Sequence, residues 1–190
     1  MIGELLRKSI HLSGLVLPVI YLFLDRRPML ILMGVLTGFA LAVELVKWCS
    51  PHFGKFFFRI FKPLLRTHER KGAMTGATYY LISAFLCILL FYKMVAIVCI
   101  FFMILGDMAA ALVGKKWGRT KLLGPKSLEG STACFIVCVA IALVKLNPTI
   151  AIIGALVATL VELIPFPIDD NLTVPLISGA VMHFLMQGFF

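Results

Sequence analysis

The stretch IPFPIDDNLTVP, residues 164 to 175, sets two adjacent carboxylates, Asp169 and Asp170, and the amide of Asn171 between long apolar runs. The chain has only nine acidic residues, and a carboxylate inside an apolar segment is costly unless it faces a partner or water. On its own the Asp-Asp-Asn turn reads as a helix cap. Three further acids change that reading: Asp107 in FFMILGDMAAALVG, Glu129 in KSLEGSTA and Glu162 in ATLVELIPF. Oxygen donors of this kind suit Mg²⁺, which takes one or two carboxylates and completes its shell with water and phosphate oxygens. Asp107, Asp169 and Asp170 are the expected metal ligands. Asp170 or Glu129, with Asp169 beside them, are the expected catalytic carboxylates.

The phosphate that such an ion would carry has its own candidates. Lys115, Lys116, Arg119, Lys121 and Lys126 crowd one loop that also holds Gly114, Gly118, Gly124 and Gly130. Glycines let backbone amides approach an anion, lysines supply charge, and the opening turn of the following helix offers free N–H groups. The phosphate-binding candidates are Lys115, Arg119, Lys121, Lys126, Ser127, Gly130, Ser131 and, from the acidic turn, Asn171. Glu4, Lys8 and His11 follow one another four and three residues apart on one helical face. They form a candidate further site together with Glu44 and Glu162, although i,i+4 pairing within the cluster explains the first three equally well. No GxxxxGK[ST] loop, GxSxG, HExxH or CxxC is present, so the common nucleotide, hydrolase and zinc motifs are absent. The residues imply a Mg²⁺ site for a phosphorylated substrate without naming the nucleotide.

The elements that must position these groups are apolar helices. The chain of 190 residues is 61% hydrophobic and 14% charged, with a mean hydropathy of +1.03, whereas soluble domains carry about 25% charged residues. Seven apolar runs, about 8–24, 28–46, 73–91, 93–113, 129–146, 148–164 and 173–190, approach the roughly 20 residues needed to cross a bilayer. The expected fold is one all-α domain over 1–190, a polytopic membrane bundle of about seven transmembrane helices. Residues 51 to 66, PHFGKFFFRIFKPLLR, put Lys55, Arg59, Lys62 and Arg66 on one face and Phe53, Phe57, Phe61 and Leu64 on another. That pattern predicts a short amphipathic helix lying in the membrane interface. The five cysteines lie in or beside the apolar runs and read as small apolar residues.

Positive charge is retained on the cytoplasmic side of short loops. Sorting by alternate loops puts fourteen of the eighteen Lys and Arg on the side of the N-terminus, so the N-terminus is expected in the cytoplasm and the C-terminus outside. Eight of the nine acids, all but Asp25, then fall at or near cytoplasmic helix ends. Glu44, Asp107 and Glu162 together predict a polar cavity opening toward the cytoplasm. Gly106, Ala110 and Gly114 form a small-residue face that permits close helix contact, within one chain or in a homodimer.

GDMAAALVGKKWGRTKLLGPKSLEGSTA, with Glu162 followed by PIDDNLTVPL and the early ELLRKSIHLSG, resembles the CTP-dependent lipid alcohol kinases. These are the dolichol or polyprenol kinases, the phytol and farnesol kinases, and the fungal-type CTP-dependent diacylglycerol kinases. A looser likeness extends to CDP-diacylglycerol synthase. The resemblance implies transfer of the γ-phosphoryl of CTP to the hydroxyl of a membrane lipid alcohol at the cytoplasmic face. Lys121 and Lys126 would cradle phosphates, and Asp107, Asp169 and Asp170 would bind Mg²⁺. No nucleic-acid partner is expected. The rivals are a cytidylyltransferase like CDP-diacylglycerol synthase and, from another class, a transporter or anion channel.

Overall fold

The computed structural model describes residues 11–62, 65, 69 and 72–188; Glu4, Lys8, Arg7, Arg66, Arg70, Lys71 and Phe190 lie outside the described residues. Eight helices run along this part of the chain: α1 (Val16–Phe23), α2 (Arg26–Cys49), α3 (Pro51–Phe61), α4 (Gly76–Leu90), α5 (Lys93–Trp117), α6 (Leu128–Leu143), α7 (Pro148–Leu163) and α8 (Asp170–Gly188). No strand occurs among the described residues beyond one isolated bridge between Lys121 and Ser127. The described residues build an all-α fold, as the apolar runs imply. Two of the helices, α2 and α5, are long and apolar enough to cross a bilayer. The apolar helices α1, α4, α6 and α7 are shorter than that.

Each boundary has a local cause. Ser50 and Thr75 cap α3 and α4 by accepting from Phe53 N and Thr78 N, and Ser127 caps α6 by accepting from Gly130 N at 3.2 Å. Asn147 accepts from Thr149 N at 2.9 Å, and Pro148 takes the first helical position of α7, where its missing N–H costs nothing. The last helix begins earlier than its apolar run. Asp169 Oδ1 accepts from Asn171 N at 3.0 Å, so α8 starts on the acidic turn and Pro175, which the run 173–190 would put in a first turn, lies inside the helix. The amphipathic helix α3 ends at Phe61, short of the expected residue 66.

The core is organised around α5. Val95, Ala96, Val98, Cys99, Ile100, Phe102 and Ile104 are all buried, so its first half is apolar on every side and enclosed by protein. Helices α1, α4, α6 and α8 pack on it, and α6, α7 and α8 pack in sequence. The peripheral α2 leaves Ile31, Val35 and Phe39 69%, 66% and 71% exposed, an apolar stripe with four-residue spacing that needs an apolar surrounding. The small-residue face meets α6: a Cβ at Gly106 would lie 3.0 Å from Cys138 Sγ, and a Cβ at Gly130 would lie 2.8 Å from the Ala110 carbonyl oxygen. That face is used within the chain.

The two ends of the bundle differ in chemistry. At one end Arg26 donates to the carbonyls of Ile88 and Leu89, and Lys93 donates to those of Leu22 and Leu24 at 3.3 and 2.9 Å. These cations satisfy the orphan carbonyls at the ends of α4 and α1. The opposite end gathers the C-termini of α2, α5 and α7 with the N-termini of α4, α6 and α8.

Candidate functional site

A cleft of about 460 Å³ opens at this second end. The second half of α5 contributes Asp107, Ala110, Gly114 and Lys115; the loop contributes Lys121 and Lys126; α6 adds Ser127, Gly130 and Ser131, and α7 adds Glu162. A π-helical turn, Phe102–Gly106, immediately precedes Asp107. Such widened turns recur at functional sites, because they rotate the following residues out of the regular helical frame.

The loop from 118 to 127 folds back on itself. Leu122 N donates to Lys126 O at 3.0 Å, Lys126 N to Leu123 O at 3.1 Å, and Leu128 N to Thr120 O at 2.9 Å. Gly124, with φ of 59°, makes the turn, a conformation open to glycine at no steric cost. This fold presents Lys126 to two acids. Its Nζ lies 3.2 Å from Glu162 Oε1 and 3.4 Å from Asp170 Oδ2. Glu162 is buried, so the ammonium supplies the partner that a carboxylate in an apolar helix demands. Asp107 lines the same cleft, with its Oδ2 3.8 Å from His11 Nε2. Ser131 lines it as well, and its buried hydroxyl has no hydrogen-bond partner among the described residues. Beside it lies the α6 N-terminus, whose dipole end is positive, although Leu128 N and Gly130 N already donate to Thr120 O and Ser127 Oγ.

Several sequence candidates stand elsewhere. Glu129 is outside the cleft lining: both its carboxylate oxygens accept from Thr120 N, at 3.1 and 3.3 Å, which ties the start of the loop to α6. Arg119 is exposed and does not line the cleft. Asp169 serves as the α8 cap. Asn171 turns away toward α4, its Nδ2 donating to Gly76 O at 3.3 Å. Among the described residues no group of three His, Cys, Asp or Glu is placed to hold a metal, so Asp107, Asp169 and Asp170 do not form a ready-made ligand triad. The nearest arrangement is the Glu162–Asp170 pair around Lys126.

Glu44 does not reach the cleft either, because a second polar knot uses it. Its carboxylate pairs with Lys47 and accepts from Thr75 N at 2.8 Å and from Thr78 Oγ1 at 3.2 Å. Lys47 is also buried, donating to Ala73 O at 3.1 Å. Glu69 accepts from Gly76 N at 2.8 Å. Two buried carboxylates thus cap the N-terminus of α4, and Asn171 joins that terminus to α8 one residue from Asp170. The i,i+3 spacing of Glu44 and Lys47 and the Thr-Gly-Ala-Thr start of α4 are the sequence signals for this knot.

No family model matches the chain, and no solved structure matches it. It is 31% identical over 181 residues to an uncharacterized protein of Rickettsia prowazekii, covering 90% of this chain and 88% of that one. It is 24% identical over 163 residues to CTP-dependent diacylglycerol kinase 1 of Schizosaccharomyces pombe, covering 75% and 74%. It is 30% identical over 148 residues to a probable chloroplastic phytol kinase of Triticum aestivum, covering 67% of this chain and 49% of that one. By the names of the last two relatives, the chain is similar to the CTP-dependent lipid kinases.

Proposed function

We propose that this chain is a multi-pass membrane enzyme that transfers the γ-phosphoryl group of CTP to the hydroxyl of a lipid alcohol, a diacylglycerol or an isoprenoid alcohol. The carrying observation is the meeting of Lys126, Glu162 and Asp170 beside the α6 N-terminus in a chain similar to these kinases. Phosphoryl transfer depends chiefly on positioning and charge neutralisation around an in-line displacement. The hydroxyl oxygen bonds to the γ-phosphorus, the bond from that phosphorus to the bridging oxygen breaks, and CDP leaves.

The chain's own residues divide this work. Lys126, Lys121 and Lys115 supply positive charge to the phosphates, and the Ser131 hydroxyl supplies a hydrogen-bond donor. Asp107 lines the cleft without pairing to Lys126 and would accept the hydroxyl proton. Glu162 and Asp170 have the donor chemistry for Mg²⁺, which takes one or two carboxylates and obtains its remaining oxygens from substrate phosphates. When bound there, the ion would neutralise charge on the transferring group. The far end of the bundle argues against a channel, since Arg26 and Lys93 are committed to helix-end carbonyls there.

The test is to incubate purified chain with γ-labelled CTP and candidate lipid alcohols, and to look for labelled lipid. Orientation has a separate test. The cleft loop belongs on the cytoplasmic side, so a cysteine at Lys121 should resist a membrane-impermeant maleimide added to intact cells and react after permeabilisation. Labelling in intact cells would place the cleft on the wrong side for cytoplasmic CTP.

A further inference from the structure

Glu162 and Asp170 come from different helices and share one cation in this structure. The ammonium of Lys126 stands within 3.4 Å of an oxygen from each, so one cationic group bridges the two carboxylates. A divalent cation that drew both carboxylates onto itself would have to take the ammonium's place. The backbone of Lys126 is pinned in the turn by its N–H and C=O, but its side chain is a point charge on a flexible four-carbon stem. The cleft it borders also holds Lys121, Lys115 and the unpartnered Ser131 hydroxyl. An anion bound there lies within reach of the same ammonium without any backbone movement.

Resting on the nucleotide-dependent reading above, we propose that Lys126 excludes free divalent cations from Glu162 and Asp170 and yields the pair only to a metal that arrives with a triphosphate. A bare divalent ion would have to bind beside a retained positive charge in a partly buried site, where screening is weak. A metal–triphosphate complex brings its own anionic oxygens, and these receive the displaced ammonium. Metal and nucleotide therefore load as a unit. Lys126 acts first as the counter-ion of the carboxylates and then as a ligand of the phosphates.

The test reads Mn²⁺ binding by electron paramagnetic resonance on the full chain in detergent, with no turnover required. Wild type alone should bind Mn²⁺ weakly, and Lys126→Ala alone should bind it tighter by about tenfold or more. Adding β,γ-methylene CTP should raise the affinity of wild type for Mn²⁺ beyond that of the analogue itself. Lys126→Arg keeps the positive charge and should exclude Mn²⁺ as wild type does, and Lys126→Ala combined with Glu162→Gln should lose the gain. If Lys126→Ala does not fold, Lys126→Gln takes its place. Equal Mn²⁺ affinity in wild type and Lys126→Ala overturns the proposal, as does a gain that survives Glu162→Gln. A chain with the predicted Mn²⁺ behaviour but no CTP-dependent lipid phosphorylation refutes the kinase reading alone. Lipid phosphorylation with unchanged Mn²⁺ affinity in Lys126→Ala refutes the competition alone.

Discussion

Asp170→Asn is expected to lower CTP-dependent lipid phosphorylation by about a hundredfold or more, the scale on which one preorganised charge-stabilising group acts at a reacting centre. The substitution keeps size and most hydrogen bonding while removing the charge that meets Lys126 at 3.4 Å. The neighbouring Asp169→Asn provides the internal control. Asp169 caps α8 through the N–H of Asn171, and Asn caps a helix as well as Asp does, so that variant should stay close to wild type in both folding and rate. The two adjacent acids, indistinguishable by residue type, thus have opposite expected outcomes. Activity of Asp170→Asn within about threefold of wild type at saturating Mg²⁺ and CTP would remove Asp170 from the transferring site.

Glu44→Ala is expected to damage the fold. The substitution leaves Lys47 buried without its counter-ion and strips two acceptor contacts from the start of α4. Removing one partner of a buried ion pair costs about 3–5 kcal/mol, which for a chain of this size lowers Tm by on the order of 10 °C. The double variant Glu44→Leu with Lys47→Met should recover most of the loss, because an apolar pair of similar volume often replaces a buried ion pair without penalty. Thermal melts in detergent, followed by circular dichroism, read both. An unchanged Tm in Glu44→Ala would mean that the knot does not hold α2 to α4.

The comparison of these residues shows what sequence pattern conveys. The apolar runs were legible because their signal is local, whereas Ser127, read from the sequence as a phosphate contact, is used by the structure to cap α6. The convergence of Lys126, Glu162 and Asp170 was legible only as membership of one end of the bundle, through the sorting of charges across alternate loops. Partner choice within that end was not legible. Glu129, Glu44 and Asn171 have the residue types of a phosphate or metal site, yet each is consumed by a backbone group or a neighbouring charge. Which acid keeps a free face depends on the rotation of its helix against its neighbours. The π turn before Asp107 changes that rotation without leaving any residue-type signal. Lys47 falls just past the expected apolar run 28–46, whereas the structure places it in the last turn of α2, buried beside Trp48, Phe57 and Phe58.

The central claim is phosphoryl transfer from CTP to a lipid hydroxyl, and the fate of CTP tests it most directly. Purified chain is supplied with CTP labelled at the γ-phosphate in one reaction and at the α-phosphate in another, with diacylglycerol or an isoprenoid alcohol in detergent micelles and Mg²⁺ present. The account predicts γ-label on the lipid, α-label released as CDP, and loss of both signals in Asp170→Asn. Release of pyrophosphate with α-label on the lipid would identify a cytidylyltransferase, and the absence of any CTP-dependent label on lipid would contradict the account.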